Sequence, residues 1–263
     1  MRASPDFNRA AFTLVELLVV IAIIGILAAL LLPVLSKAKA HAHSATCKNR
    51  LREMGQALQM YVHDNQGKYP YFRAHPEPAD AEATVNYPDN CWWMAKLLPY
   101  RPLKWTNAAY HCPGYRGAVT GETLPPSHRY PLGSYAYNAR GVGLRLHPPT
   151  LGLGLPLYPK TPAGRPVVAE AQVKVPTEMF AIGESRFLDR KVNRAPGGSC
   201  WMVCGFLLDP HYAFDPARHG RNYNQLFCDG HVAGMIPSVL FNPTNTAAMW
   251  NYDHQPHAEL WTP

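Results

Sequence analysis

The residues with chemistry to offer fall into three groups. Glu16 lies near the start of an apolar run, "AFTLVELLVVIAIIGILAALLLP" (residues 11–33), which holds no Lys or Arg to pair with it. A carboxylate in hydrocarbon is costly unless neutralised or paired, so Glu16 is expected to be a pairing site. In the C-terminal half, His219, Asp229 and His231 stand close together, with Glu184 upstream. If residues 219–231 fold as loop, strand and turn, His219 and Asp229, with His231 and Glu184, could ligate a metal. The plainer alternative is a hydrogen bond from His219 at the base of a hairpin, with Asp229 serving the turn. Calcium would instead want oxygen ligands, from Asp229, Asn222, Asn224 and Asp209 or Asp215, but no EF-hand spacing is present. The third group is the six cysteines, Cys47, Cys91, Cys112, Cys200, Cys204 and Cys228.

The cysteines have two readings. Cys200-x3-Cys204 with Cys228-x2-His231 makes a loosely ribbon-like zinc set, weakened because the first pair lacks the usual two-residue gap. If the chain is exported, disulfides are the stronger expectation. A bridge from Cys47 to Cys91 or Cys112 would then contribute about 2–4 kcal/mol. Apart from the calcium alternative, no cofactor is expected. No G-x-S-x-G, H-E-x-x-H or phosphate-binding glycine loop occurs, so the chain is read as a non-enzyme. Trp92, Trp93, Trp105, Trp201, Trp250 and Trp261 could stack on sugars, but such residues more often fill the core of a small sheet.

These groups need elements to position them. Residues 17–32 carry no charged or hydrogen-bonding side chain and, with their apolar flanks, reach the roughly 20 residues of a spanning helix. Arg2 and Arg9 precede the run against Asp6, which predicts a cytoplasmic N-terminus and an exported remainder. Pro33 removes a backbone donor and is expected to kink the helix without ending it. Beyond it Cys47, Leu51, Met54, Leu58 and Tyr61 recur at helical spacing and form one apolar stripe. Gly67 offers a stop and Pro70 forbids continuation, so one helix is expected from Phe12 to about Asn65.

The remainder is rich in aromatics and proline. Of 263 residues, 19 are Gly and 26 Pro, which argues for a loop-rich domain over a helical bundle. Residues 70–90 and 142–166 read as loops or flaps, and 189–199 as a basic loop. Residues 91–100 read as a short helix. Residues 107–112 and 134–138 read as short strands, and 178–185 as a buried strand. "NYNQLFCDGHVAGMI" (222–236) is the clearest hairpin, with Asp229-Gly230 as a two-residue turn. Residues 237–263 give no pattern and fit either a capping strand or a loose tail. The resulting fold is α+β, a long helix packed on a small antiparallel sheet, without a second globular domain. The net charge of +7 contains no block of five like charges, so nucleic acid is not an expected partner.

The apolar stretch with its Glu16 resembles the type IV pilin and type II secretion pseudopilin family. The resemblance implies a pilin-like fold, a leader of residues 1–11, a membrane and assembly helix over 12–35 and a globular part over 36–263. It implies cleavage between Ala11 and Phe12 by a prepilin peptidase and methylation of the new amine. Ala11 departs from the glycine usual before the cut. Glu16 then falls at the family's acidic position, four residues from the Phe12 amine, and Pro33 at its helix-breaking proline. Assembly through the N-terminal helix, handling by secretion or pilus machinery and an inner-membrane location follow as expectations. A neighbouring subunit's amine paired with Glu16 would set the filament register. "RHGRNYNQLFCDGHV" further resembles the pilin-like group named for its H-x9-DG motif, carried here by His219, Asp229 and Gly230. The competing expectation is a membrane-tethered, exported glycan- or metal-binding module that does not assemble.

Overall fold

In the computed structural model the described residues are 13–72, 92–121, 131–142, 151–154, 167–185, 187–188, 197–198, 201–204, 212–213, 218–220 and 222–261. For 187–188, 197–198, 201–204 and 212–213 the description is of the backbone alone. The expected loops at 70–90, 142–166 and 189–199 fall mostly outside these residues, as do Phe12, Cys91 and Cys200. The chain divides into two units, Met1–Ala40 and His41–Pro263.

Helix α1 spans Leu14–Asp64 and is unbroken at Pro33. Leu and Ala supply strong helix formers in its first part, and the β-branched Val and Ile there are offset by a well-made start, described below. Within the first unit its apolar side chains are open: Leu14, Leu30 and Leu35 are 74%, 67% and 65% exposed. Such a surface belongs in lipid or against other helices, and α1 is long and apolar enough to cross a membrane.

In the second unit α1 becomes one-sided. Cys47, Leu51, Met54, Ala57, Leu58 and Val62 are buried, following the expected stripe, and Tyr61 is half-buried. Gly55 lies on the same stripe, where a methyl group would come within 2.7 Å of Leu226 Cδ1, so glycine lets the helix approach the sheet closely. The helix ends in a Schellman arrangement: Gln66 is left-handed (φ 60°) and Gly67 N–H donates to Val62 C=O at 2.9 Å. The stop thus uses Gln66 as well as the expected Gly67.

The helix packs on a five-stranded sheet. Its strands are β1 (Tyr135–Val142), β2 (Phe180–Glu184), β5 (Trp201–Cys204), β7 (Tyr223–Phe227) and β8 (Val232–Met235), in the order β5-β1-β2-β7-β8. Four strands run antiparallel as expected; β5 adds a parallel edge on β1. Short strands β3 (Phe187–Leu188), β4 (Gly197–Gly198) and β6 (Tyr212–Ala213) form a separate three-stranded sheet. Between β1 and α1 lies an aromatic layer: Trp93 stacks on Tyr137 at 5.5 Å and meets Trp105 edge-on. Trp92, Trp93, Trp105 and Trp250 are fully buried, so they build core rather than a sugar-stacking platform.

Three sequence expectations need correction. Residues 107–112 are not a strand: Asn107 caps the Ala109 N–H and turns Ala108–Tyr110 into a 3-10 turn. The β7–β8 hairpin closes through three residues, not two. Gly230 N–H donates to Phe227 C=O, Phe227 N–H to His231 C=O, and Gly230 takes φ +93°, the geometry of a type I turn followed by a bulge glycine. Residues 237–261 are neither strand nor loose. Short helices α2 (Pro237–Leu240) and α3 (Pro243–Thr246) cover the second face of the sheet, and Leu240, Phe241 and Trp250 pack on Phe180, Tyr223 and Phe227. The sheet is therefore buried on both faces, which explains why every residue of β1, β2 and β7 is buried.

Candidate functional site

Two places bring the candidate residues into contact with partners. The first is the start of α1. Thr13 is the N-cap: its backbone N–H and Oγ–H donate to Glu16 Oε2 at 2.9 and 2.7 Å, and its Oγ accepts from the Glu16 N–H at 3.3 Å. This is a capping box, in which two helix-start donors are satisfied reciprocally. Thr13 was not singled out from the sequence, although "TLVE" carries the T-x-x-E signature directly. Both bonds to the Glu16 carboxylate, one from the Thr13 backbone and one from its side chain, fall on Oε2.

The second place is a polar cluster inside the globular unit. Cys47 comes from the buried stripe of α1, and Cys112 follows the 3-10 turn capped by Asn107. Glu184 closes β2, on the side of the sheet where Ile182 meets the α1 core. His219 stands in a turn before β7 with left-handed backbone angles (φ 47°, ψ 36°), followed by Gly220 at φ +66°. His219 Nε2 lies 3.0 Å from Cys112 Sγ and 2.9 Å from Glu184 Oε1. The ligand atoms of Cys47, Cys112, Glu184 and His219 all lie within 4.8 Å of one another, and all four residues are buried.

Surrounding groups hold the cluster. The Asn224 N–H donates to Glu184 Oε2 at 2.7 Å, and the Tyr135 O–H donates to Cys47 Sγ at 3.2 Å. The Cys112 N–H donates to Ser134 Oγ at 2.8 Å. Arg218, wholly buried, places Nη1 3.8 Å from Glu184 Oε1 and donates to Ser185 C=O at 3.1 Å. Its guanidinium lies over the rings of Tyr115 and Tyr223.

Electrostatics match this layout. Burial opposes charge on Glu184, but the His219 hydrogen bond, the Arg218 charge and the Asn224 N–H outweigh it and hold its carboxyl below the usual range. Burial likewise opposes charge on His219, yet the bonds to Cys112 and Glu184 raise it to about 10. Cys112 is brought down to about 7 by its hydrogen bond with Cys47, against burial and with help from His219. Cys47 is driven up, chiefly by burial.

The structure sorts the other candidates differently. Glu184 and His219 are brought together, while Asp229 takes His231 as its partner, with His231 Nδ1 2.7 Å from Asp229 Oδ1. That pair sits at the hairpin turn, and the His231 ring stacks on Phe227 at 4.1 Å. Asp229 thus serves the turn, and His219 and Asp229-Gly230 bracket β7 from its two ends. Cys228 is buried against Tyr69, away from the cluster. Cys47, Cys112 and Cys228 are thiols; Cys91 and Cys200, the Cys204 side chain, Asp209 and Asp215 lie outside the described residues. Cys112 as a neighbour of His219 had no local sequence signal.

Residues 6–32 match the family described as the prokaryotic N-terminal methylation motif. The chain is 34% identical over 114 residues to the type II secretion system core protein G of Pseudomonas aeruginosa, covering 42% of this chain and 78% of that protein. No solved structure matches it. With the motif, the long apolar helix and the sheet behind it in place, the chain belongs to the type IV pilin and type II secretion pseudopilin family.

Proposed function

We propose that this chain is a structural, non-enzymatic subunit of a pseudopilus or pilus-like fibre. It is cleaved between Ala11 and Phe12 by a prepilin peptidase and methylated on the Phe12 amine. Arg2 and Arg9 hold the leader on the cytoplasmic side of the inner membrane, and the globular unit lies outside. The observation that carries the reading is the contrast along α1. Over Leu14–Leu32 it presents an open apolar surface on which Glu16 is the one charged residue, within the matched methylation motif. In a fibre that surface is covered by the helices of neighbouring subunits. The Glu16 carboxylate accepts hydrogen bonds from the Phe12 ammonium of a neighbour, which lowers the cost of both charges in an apolar core. The nine-residue interval between His219 and Asp229 supports placing the chain with the H-x9-DG group.

The test is the mass of the mature chain together with fractionation of the producing cells. Cleaved chain bearing a methyl on Phe12, recovered in sheared fibres, is the expected result. An intact N-terminus, with all protein retained in the membrane, overturns the reading and favours a tethered binding module.

A further inference from the structure

We propose that Cys47, Cys112, Glu184 and His219 form a closed, structural zinc site in the core of the globular unit. The inference does not depend on fibre assembly, so the two readings stand or fall separately.

The geometry comes first. Four zinc-type donors, from α1, the segment after the 3-10 turn, the end of β2 and the turn before β7, converge with all ligand atoms within 4.8 Å of one another. In a tetrahedral site with zinc–sulfur bonds of about 2.3 Å and zinc–nitrogen bonds of about 2.0 Å, ligand atoms sit roughly 3.3–3.8 Å apart. The His219–Glu184 and His219–Cys112 separations of 2.9 and 3.0 Å are a few tenths of an ångström shorter than that range. A slight outward movement admits the ion.

Hydrogen bonding points the same way. His219 Nε2 carries at most one hydrogen, yet Cys112 Sγ and Glu184 Oε1 both lie within hydrogen-bond distance of it. A cation at their common centre takes a lone pair from each and leaves none of them competing. The backbone at His219 is left-handed, a conformation unusual for a residue with a side chain. Such strain is retained where the position of the side chain matters.

Charge balances as well. Two thiolates and the Glu184 carboxylate carry three negative charges, neutral His219 none, and buried Arg218 one positive charge; a divalent ion closes the sum at zero. Outer groups support two of the four donors: the Tyr135 O–H donates to the Cys47 sulfur and the Asn224 N–H to the second oxygen of Glu184, while His219 Nδ1 is buried with no hydrogen-bond partner among the described residues. Two sulfurs select zinc over calcium or magnesium, which require oxygen. With four protein ligands and no exposure, the site has no open position for substrate and is structural. It ties α1 to the sheet at the place where the expected disulfide staple was sought.

The experiment uses the full-length chain, produced with zinc in the medium and purified in detergent under reductant. Metal analysis is expected to give about one zinc per chain, as a closed four-ligand site holds a single ion. Chelator-treated protein reloaded with cobalt should show thiolate-to-cobalt charge transfer and tetrahedral ligand-field bands. Cys112→Ser and Glu184→Gln should lose bound metal, while Cys228→Ala should keep it. Because a variant can fail to fold, zinc content and cobalt spectrum of the unaltered chain decide alone. No zinc on purification and none taken up on dialysis overturns the proposal. So does a Cys47–Cys112 disulfide in a parallel preparation made without reductant, or a cobalt spectrum without thiolate charge transfer.

Discussion

The carboxylate of Glu184 and the imidazole of His219 meet at 2.9 Å with both side chains wholly buried. Neither can be hydrated, so each depends on the other and on Arg218, Cys112 and Asn224 around them. Removing one member of such a set leaves its partners desolvated and uncompensated. We expect Glu184→Leu to destabilise the globular unit by about 3–5 kcal/mol, the cost of breaking a buried ionic pair from one side. The measurement is denaturant unfolding of the detergent-solubilised full chain. A loss below about 1 kcal/mol, the scale of an exposed pair, would show that the cluster is hydrated.

A second prediction uses the two halves of α1 against each other. Leu51 is fully buried among the core residues, whereas Leu30 is 67% exposed in the single chain. Leu51→Ala is expected to cost about 2–5 kcal/mol in unfolding of the globular unit, through lost burial and the cavity left behind. Leu30→Ala should leave that unfolding unchanged and reduce fibre yield instead, because its side chain is buried only against neighbours. Equal effects of the two variants on unfolding would contradict the division of labour along the helix.

Cys228 gives a third. Burial, with nearby Asp229 and Glu170 adding to it and the Tyr69 hydrogen bond opposing, pushes its thiol from 9.0 up to about 12. A raised pKa means that the folded chain favours the protonated form. The contribution to stability is therefore intact below about pH 9 and is lost as pH rises from about 9 toward 12, where the unfolded chain ionises first. At pH 8 the native chain should resist alkylation at Cys228, with full labelling on unfolding, as read by peptide mapping. Cys228→Ala should be less sensitive to alkaline unfolding than the unaltered chain.

How much of this was readable in advance follows from the range of each signal. The stripe Cys47–Leu51–Met54–Leu58 and the hairpin around Asp229-Gly230 are local patterns, set by helix period and turn chemistry, and both stand in the structure. The polar cluster is not local. Its members sit at 47, 112, 184 and 219 and meet only because the sheet order puts β2 between β1 and β7. His219 and Glu184 drew notice as ligand types, but nothing near Cys112 says that it joins them. The strand reading of residues 107–112 failed because Asn107 caps a turn that a short apolar run does not reveal. The C-terminal helices were illegible because four-residue helices have no period to detect; they exist to cover Phe180, Tyr223 and Phe227.

The last prediction separates two roles of Glu16. In the single chain it is the N3 partner of Thr13 in a capping box, a role that glutamine fills as well as glutamate. In the proposed fibre it also receives a neighbour's ammonium, a role that needs charge. Thr13→Ala removes the cap and is expected to weaken the helix start by about 0.5–2 kcal/mol while leaving the carboxylate able to pair between subunits. Glu16→Gln keeps the cap and removes the charge. Fibre yield should therefore fall far more for Glu16→Gln than for Thr13→Ala, with both chains still inserted in the membrane. The opposite order would reduce Glu16 to a local helix-start residue and end its role in register. Comparable fibre yield from Glu16→Gln and the unaltered chain would do the same, because charge would then contribute nothing that an amide cannot.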